Sequence, residues 1–249
     1  MSKPIRIAAA IGAIILIIFL LFVTMALTGN PISKALATRT ANKYVREKYA
    51  DLELNREETY YNFKDGSYNV KYANKKSKDL HFTISTDYLG RLYYDGYERD
   101  VISKWNTRFR LDQEYRMYLE KLIRDNLDYD YSMILPSSFA NEKDEGLDIL
   151  EIDMPFDIHS FPFEGHLTIY IYEENRTWER LSEVILEINE FMEKEGIDIA
   201  QYSIILQEKV EEGSLMGDST GVYNFPSSNL NSENLPKVLE EFFKKYNDI

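Results

Sequence analysis

Between Ile7 and Leu27 this chain has 21 consecutive positions without a charge, nearly all of them Ile, Leu, Ala, Phe or Val. A helix of that length extends about 31 Å at ~1.5 Å per residue, matching the ~30 Å hydrocarbon core of a bilayer. Lys3 and Arg6 stand just ahead of it. The first 30 residues therefore read as a single transmembrane segment, with a polar body from about Asn30 onward held at a membrane surface.

A secretory signal has the same order of basic tip, apolar stretch and small residues, and Thr24-Met25-Ala26 resembles a cleavage site. The apolar run is longer than the roughly 7–15 residues of a signal core. A retained anchor is the better reading. With no cysteine in the chain, a lipoprotein linkage is excluded. Orientation has two opposing indications. Lys3 and Arg6 before the span have the form of an export signal, which places the body outside. Lys34, Arg39, Lys43, Arg46 and Lys48 follow it, and a plain count of Lys and Arg would keep the body in the cytoplasm. These later cations fall in a helix expected to be folded, so the extracytoplasmic reading is preferred.

Charge is unevenly spread. The chain carries 29 basic and 42 acidic residues, net −13. The first thirty residues contribute +2 and the next twenty +4, which leaves −19 for residues 51–249. Such a body repels nucleic acid, which needs a clustered basic footprint. The short basic collar beside the span would instead be drawn to an anionic bilayer. Hydrophobic residues make up 44% and aromatics 14%, enough to fill one or two cores and to exclude a disordered stalk.

Periodicity predicts an α+β body of two small domains, residues 31–104 and 105–249, after the anchor at 1–30. Asn30 and Pro31 form an N-cap and first helical position. In the helix that follows, Ala37, Ala41, Tyr44, Val45 and Tyr49 share one face, opposite Arg39, Lys43 and Arg46. Alternation around Thr59–Phe63, Tyr68–Tyr72, Leu80–Ile84 and Leu92–Tyr94 predicts an antiparallel meander of four strands covering that helix. The second domain opens with a helix over Thr107–Leu127. Strands are expected at Tyr131–Leu135, Ile149–Met154, His166–Tyr172 and Tyr202–Gln207. A helix spans Thr177–Glu195 with Gly196 as its left-handed cap, a polar loop runs from Glu212 to Asn231, and a last helix starts near Leu235.

Candidate chemistry is sparse. His81, His159 and His166 make no HExxH pair, and His81 and His166 alternate with apolar strand neighbours, as outward-facing strand residues do. Asp144, Glu145, Asp148, Glu151, Asp153 and Asp157 form an acidic run, but without the glycine turn of a calcium loop. No nucleophile elbow or phosphate-cradling glycine loop occurs. The residues thus indicate no catalytic, cofactor-binding or metal-ligating group. Only membrane-surface contact is suggested, through Arg39, Lys43 and Arg46.

Leu27-Thr28-Gly29-Asn30-Pro31-Ile32-Ser33-Lys34, with Lys43-Tyr44-Val45, Glu47-Lys48-Tyr49 and Tyr61-Asn62-Phe63-Lys64-Asp65-Gly66-Ser67-Tyr68, resembles the YfjL-like proteins of Gram-positive bacteria. These are small membrane-anchored proteins without an assigned activity. The resemblance implies a body outside the cell membrane and transfers no catalytic residue. The helix-plus-meander layout is also similar to PepSY-type and cystatin-like domains, by analogy of layout only. The leading expectation is a non-enzymatic, single-pass envelope protein that contacts lipid through its helix and binds or regulates an envelope or membrane protein. The alternative is an anchored hydrolase using acidic residues of the C-terminal domain.

Overall fold

The computed structural model describes residues 3–139, 147–209 and 217–247. The chain divides into two compact units, Met1–Thr107 with Glu151–Asp153, and Arg108–Leu150 with Met154–Ile249. Both are α+β, as expected.

The first unit begins with helix α1 (Lys3–Thr28). None of its most apolar stretch is buried within the protein. Its two hydroxyls are satisfied inside the helix, Thr24 Oγ1 donating to the Leu20 carbonyl at 2.8 Å and Thr28 Oγ1 to the Thr24 carbonyl at 2.8 Å. Within the uncharged stretch Ile7–Leu27 an apolar solvent therefore meets no bare hydroxyl. Gly29 ends α1 at φ +78°, and its N–H returns to the Met25 carbonyl at 2.9 Å. Asn30 then caps helix α2 (Pro31–Lys48), its Oδ1 accepting from the Ile32 N–H at 2.8 Å.

Sheet A consists of β1 (Leu54–Asn62), β2 (Ser67–Asn74), β3 (His81–Thr86) and β4 (Leu92–Asp95), an antiparallel meander in sequence order. The helix turns Ser33, Ala37, Ala41 and Val45 onto this sheet. These are small residues at i+4 spacing, so the backbone approaches closely and meets Val70, Tyr72, Phe82 and Ile84. Tyr49, beyond the C-terminus of α2, packs edge-on against Phe82 with centroids 5.1 Å apart.

The far end of α2 is fastened by one carboxylate. Asp95 Oδ2 accepts from Tyr44 Oη at 2.8 Å, Tyr49 Oη at 2.6 Å and Lys48 Nζ at 2.8 Å, while Oδ1 takes the Tyr97 N–H at 3.0 Å. Burial alone would raise the pKa of this carboxyl, but the bonds from Lys48, Tyr49, Tyr97 and Tyr44 outweigh it and hold it below the usual range.

In the second unit, sheet B is ordered β5 (Tyr131–Phe139), β6 (Glu164–Tyr172), β7 (Ile199–Gln207), β8 (Ser219–Pro226), antiparallel except for the β6–β7 pair. The parallel pair is joined through α4 (Trp178–Lys194), as a parallel connection requires. Helix α3 (Trp105–Asn126) precedes the sheet and α5 (Leu235–Asn247) follows it. Tyr115, Leu119 and Ile123 of α3, the stripe Leu181, Val184, Ile185, Ile188 and Met192 of α4, and Leu239 of α5 share one core with the inward faces of β6 and β7. Gly196 closes α4 at φ +69°, with the Ile197 N–H returning to the Met192 carbonyl at 2.9 Å.

Two sequence expectations fail here. The segment expected as a strand at Ile149–Met154 forms turns, and of its apolar residues only Leu150 is buried, against Leu111 and Phe163. Leu150, Ile152 and Met154 keep a period of two, but Asp153 stands among them at φ +63°, in the left-handed region, where its carboxylate accepts from the Lys78 and Asp79 N–H groups, and the extended backbone a strand needs is broken there. The expected loop Glu212–Asn231 contains β8; residues 212–216 lie outside the described residues. Glycine, serine and asparagine disguised the strand. Gly221 is there because a Cβ would come within 2.7 Å of the Ile204 carbonyl, and Asn224 adopts φ +53° at a bulge.

Two predictions concern this framework. Removing the acceptor with Asp95→Ala should destabilise the first unit by about 2–4 kcal/mol, since four donors lose their acceptor. Because the folded pKa is depressed, the contribution of Asp95 is full above the unfolded value near ~3.9 and is lost as pH falls through the folded value. Hydrogen exchange of β2 and β3 amides across pH should show that acid slope, weakened in Asp95→Asn; an identical slope in the variant would refute the assignment. In the second unit, the Tyr115 hydroxyl is buried with no hydrogen-bond partner among the described residues, and a methyl at Gly165 would overlap it. Gly165→Ala should cost about 1–3 kcal/mol, Tyr115→Phe should be neutral or stabilising, and the double variant should recover part of the loss. Thermal unfolding of the three proteins checks the order.

Candidate functional site

A groove of about 790 Å³ lies in the first unit along α2 and β1. The buried line of α2 runs through residues 33, 37, 41 and 45. One residue further round, about 100° about the axis, Lys34, Thr38, Asn42 and Arg46 repeat at the same spacing and form a wall of the groove. Arg39 adds a cation from the rim, and Arg56 adds one from β1. The floor is apolar, built from Val45, Leu54 and the ring of Tyr72, and Ala35, exposed one turn before Arg39, adds apolar surface at the rim. No Asp, Glu or His lines it.

The polar groups at the base are held in fixed roles. Tyr72 Oη donates to Asn42 Oδ1 at 2.7 Å, which leaves the Asn42 amide N–H groups available as donors. Burial pushes the Tyr72 phenol up to about 12, although the nearby Arg56 and Arg46 charges pull the other way. It therefore stays a neutral donor at neutral pH. Thr38 Oγ1 donates to the Lys34 carbonyl at 2.8 Å and meets Thr59 Oγ1 of β1 at 2.9 Å, tying helix to strand. Arg46 is oriented by its Nε–H on the Asn42 carbonyl at 3.2 Å.

None of Lys34, Arg39, Arg46 and Arg56 forms an ion pair among the described residues. Glu57, the neighbour of Arg56, is engaged by Lys71 at 3.2 Å. Four cations around an apolar floor in a chain of net −13 are an anion-binding arrangement. Guanidinium groups do not exchange protons near neutrality, so the chemistry on offer is recognition of an anion that also carries apolar surface.

Of the three residues expected at a membrane surface, Arg39 and Arg46 are brought together in this groove. Lys43 is not: it points elsewhere and approaches Glu47 at 3.9 Å, both largely exposed. Lys34 and Arg56 were missed. The i+4 repeat of Lys34, Thr38, Asn42 and Arg46 was a readable signal for the first, whereas Arg56 joins only through folding of β1 against the helix.

The acidic run does not assemble. Asp144 and Glu145 lie outside the described residues. Asp153, at φ +63°, accepts from the Lys78 and Asp79 N–H groups at 2.7 and 3.0 Å, and Asp157 caps the short turn at Ile158 by accepting from the His159 N–H at 3.1 Å. Asp148 and Glu151 are exposed. No cluster of three or more His, Asp or Glu capable of holding a metal occurs among the described residues. His81 and His166 are half-buried, and burial lowers both pKa values. His166 Nε2 lies 2.9 Å from Ser203 Oγ, which also accepts the Asn224 N–H at 2.9 Å. A smaller cleft of about 310 Å³ in the second unit is lined by Tyr115, His159, Glu164 and Asp198.

One N-terminal helix long and apolar enough to cross a membrane, a helix-on-meander unit and a mixed-sheet unit define a class of small α+β proteins with an N-terminal apolar helix. Residues 5–96 match the YfjL-like N-terminal domain and residues 114–240 the YfjL-like C-terminal domain, so the chain belongs to the YfjL-like family. No curated protein and no solved structure matches it significantly.

If the groove cations serve a ligand rather than the fold, their mutual repulsion is a standing cost. Arg56→Gln should then leave thermal stability unchanged or raise it by up to about 0.5 kcal/mol at low salt, with the gain fading as salt increases. A loss above about 1 kcal/mol would show instead that Arg56 supports the fold.

Proposed function

We propose that this protein is a single-pass membrane-anchored module of the bacterial cell envelope, with its body outside the cytoplasm, and that it binds or regulates a membrane or envelope component without catalysing a reaction. The observation that carries this reading is the groove: fixed cations and donors around an apolar floor, built on the helix that follows the apolar span after Gly29 and Asn30. Its groups suit holding an anion and not transferring a proton. The N-terminal family domain spans both the apolar helix and sheet A, which favours an anchor that works together with the body over a signal removed from it. Lys3 and Arg6 before the span favour the body outside. The downstream cations that oppose this orientation lie on folded α2, and folded domains translocate largely regardless of their charge.

The absence of cysteine makes the topology directly measurable. A single cysteine at exposed Lys75 (K75C) should react with a membrane-impermeant maleimide on intact cells, and the labelled protein should stay with membranes after an alkaline wash. Labelling only after permeabilisation would overturn the orientation. Labelled protein free in the medium would overturn the anchor.

A further inference from the structure

We infer that the groove along α2 holds the phosphate-bearing headgroup of an anionic phospholipid drawn from the bilayer that α1 enters. This rests on the anchored reading above and names the ligand class.

The groove opens beside the membrane. Pro31, the first residue of α2, lines it, and Lys34 stands about one helical turn beyond Pro31, about 4.5 Å along the axis at ~1.5 Å per helical residue. The surface around this junction is apolar although exposed. Ile32 and Leu36 on α2 are 71% and 41% exposed, Phe63 in the β1–β2 turn 61%, and Tyr88 and Leu89 in the β3–β4 turn 62% and 52%. Both turns lie at the end of sheet A that meets the junction. A Cβ on Gly29 would strike the Tyr61 ring at 2.7 Å, the Asn30 N–H donates to Tyr68 Oη at 2.6 Å, and Gly90 packs against Leu36. Aliphatic and aromatic side chains exposed around the exit of a membrane-length helix form a belt suited to the headgroup–acyl boundary. That belt sets the bilayer surface at the mouth of the groove.

Both halves of a lipid headgroup region then have a counterpart. Arg46, Arg56, Arg39 and Lys34, unpaired among the described residues, offer charge-assisted donors to a phosphate, and Arg favours two-point contacts with it. The glycerol and upper acyl carbons, on the membrane side of the phosphate, find Pro31 and Ala35, while Val45 and Leu54 lie at the far end of the groove. A free phosphate would leave that apolar end unused. An acidic peptide would have to compete with lipid presented at high effective concentration by the anchor itself.

The test uses the full chain in mixed micelles of an uncharged detergent with equal phosphatidylglycerol and phosphatidylcholine, and native mass spectrometry reads the lipid retained. Wild type should retain phosphatidylglycerol over phosphatidylcholine by roughly tenfold, a factor that about 1.4 kcal/mol of headgroup attraction supplies. The groove variant R39Q/R46Q/R56Q should fall to near parity. The variant K43Q/K75Q/K121Q removes the same charge outside the groove and should keep the preference. Hydrogen exchange of sheet A, unchanged in both variants, separates lost binding from lost folding. Equal retention of the two lipids by wild type, or equal loss in both variants, overturns the inference. So does displacement of the lipid by millimolar inorganic phosphate, which would make this a site for soluble anions, or by a poly-glutamate peptide, which would make it a protein-docking site. None of these results changes the maleimide labelling, so failure of the lipid assignment is distinguishable from failure of the anchored topology.

Discussion

The membrane side of this protein depends on a break of two residues. Gly29 alone permits the left-handed turn that stops α1, and it does so where a side chain would collide with Tyr61. Asn30 restarts the helix with its side chain and spends its backbone N–H on Tyr68 of β2. A continuous helix would carry the span along the axis of α2. The break lets the direction change, and the contacts of Gly29 with Tyr61 and of Asn30 with Tyr68 fix the exit of the apolar helix at the end of a folded sheet, so that the position of Phe63, Tyr88 and the groove mouth follows from where α1 ends.

The cations of α2 fall into two groups with different physics. Lys48 is consumed by the fold: it sits 2.8 Å from Asp95 and within 5.2 and 5.1 Å of the Tyr44 and Tyr49 ring centroids, which raises its pKa. Lys34, Arg39 and Arg46, on the same helix, meet no carboxylate among the described residues, although the chain has 42 acidic residues to offer. Stability alone would favour neutralising them. On the proposed anion-binding reading, these are charges held for a ligand and not for the fold.

Much of the architecture was legible because it is written in periodicity. The small stripe of α2, the alternation of β2 and β3, and the apolar face of α4 each commit a segment to one partner surface. β8 was illegible because its glycine answers to a neighbouring carbonyl and its asparagine to a bulge, constraints that exist only once β7 is beside it. The groove was half legible for the same reason. A helical wheel places Arg39 and Arg46 opposite the apolar face, but it cannot show that Arg56 arrives from a strand, nor that Lys43 diverges. Asp95, which fastens the end of α2, gave no signal at all: an aspartate ending a short strand looks like any turn residue until Tyr44, Tyr49 and Lys48 converge on it.

The charge imbalance that suggested a membrane-facing collar also has to be reconciled with a body of −19, which an anionic bilayer should repel. Distance settles the competition. At physiological salt a charge counts at the bilayer only within a Debye length of about 8 Å, and each cation inside that range contributes roughly 1 kcal/mol. On the anchored reading, the charges nearest the bilayer are Lys34, one turn beyond Pro31, and those of the two sheet A turns beside it, Lys64 and Arg91 against Asp65 and Asp87, a net of +1 (three basic less two acidic), whereas carboxylates further into the body are screened from the surface. A local surplus of cations then governs contact with the membrane even though the whole molecule is acidic. On the lipid inference, the cations further along the groove turn that general attraction to a surface into a place that one anionic headgroup can occupy.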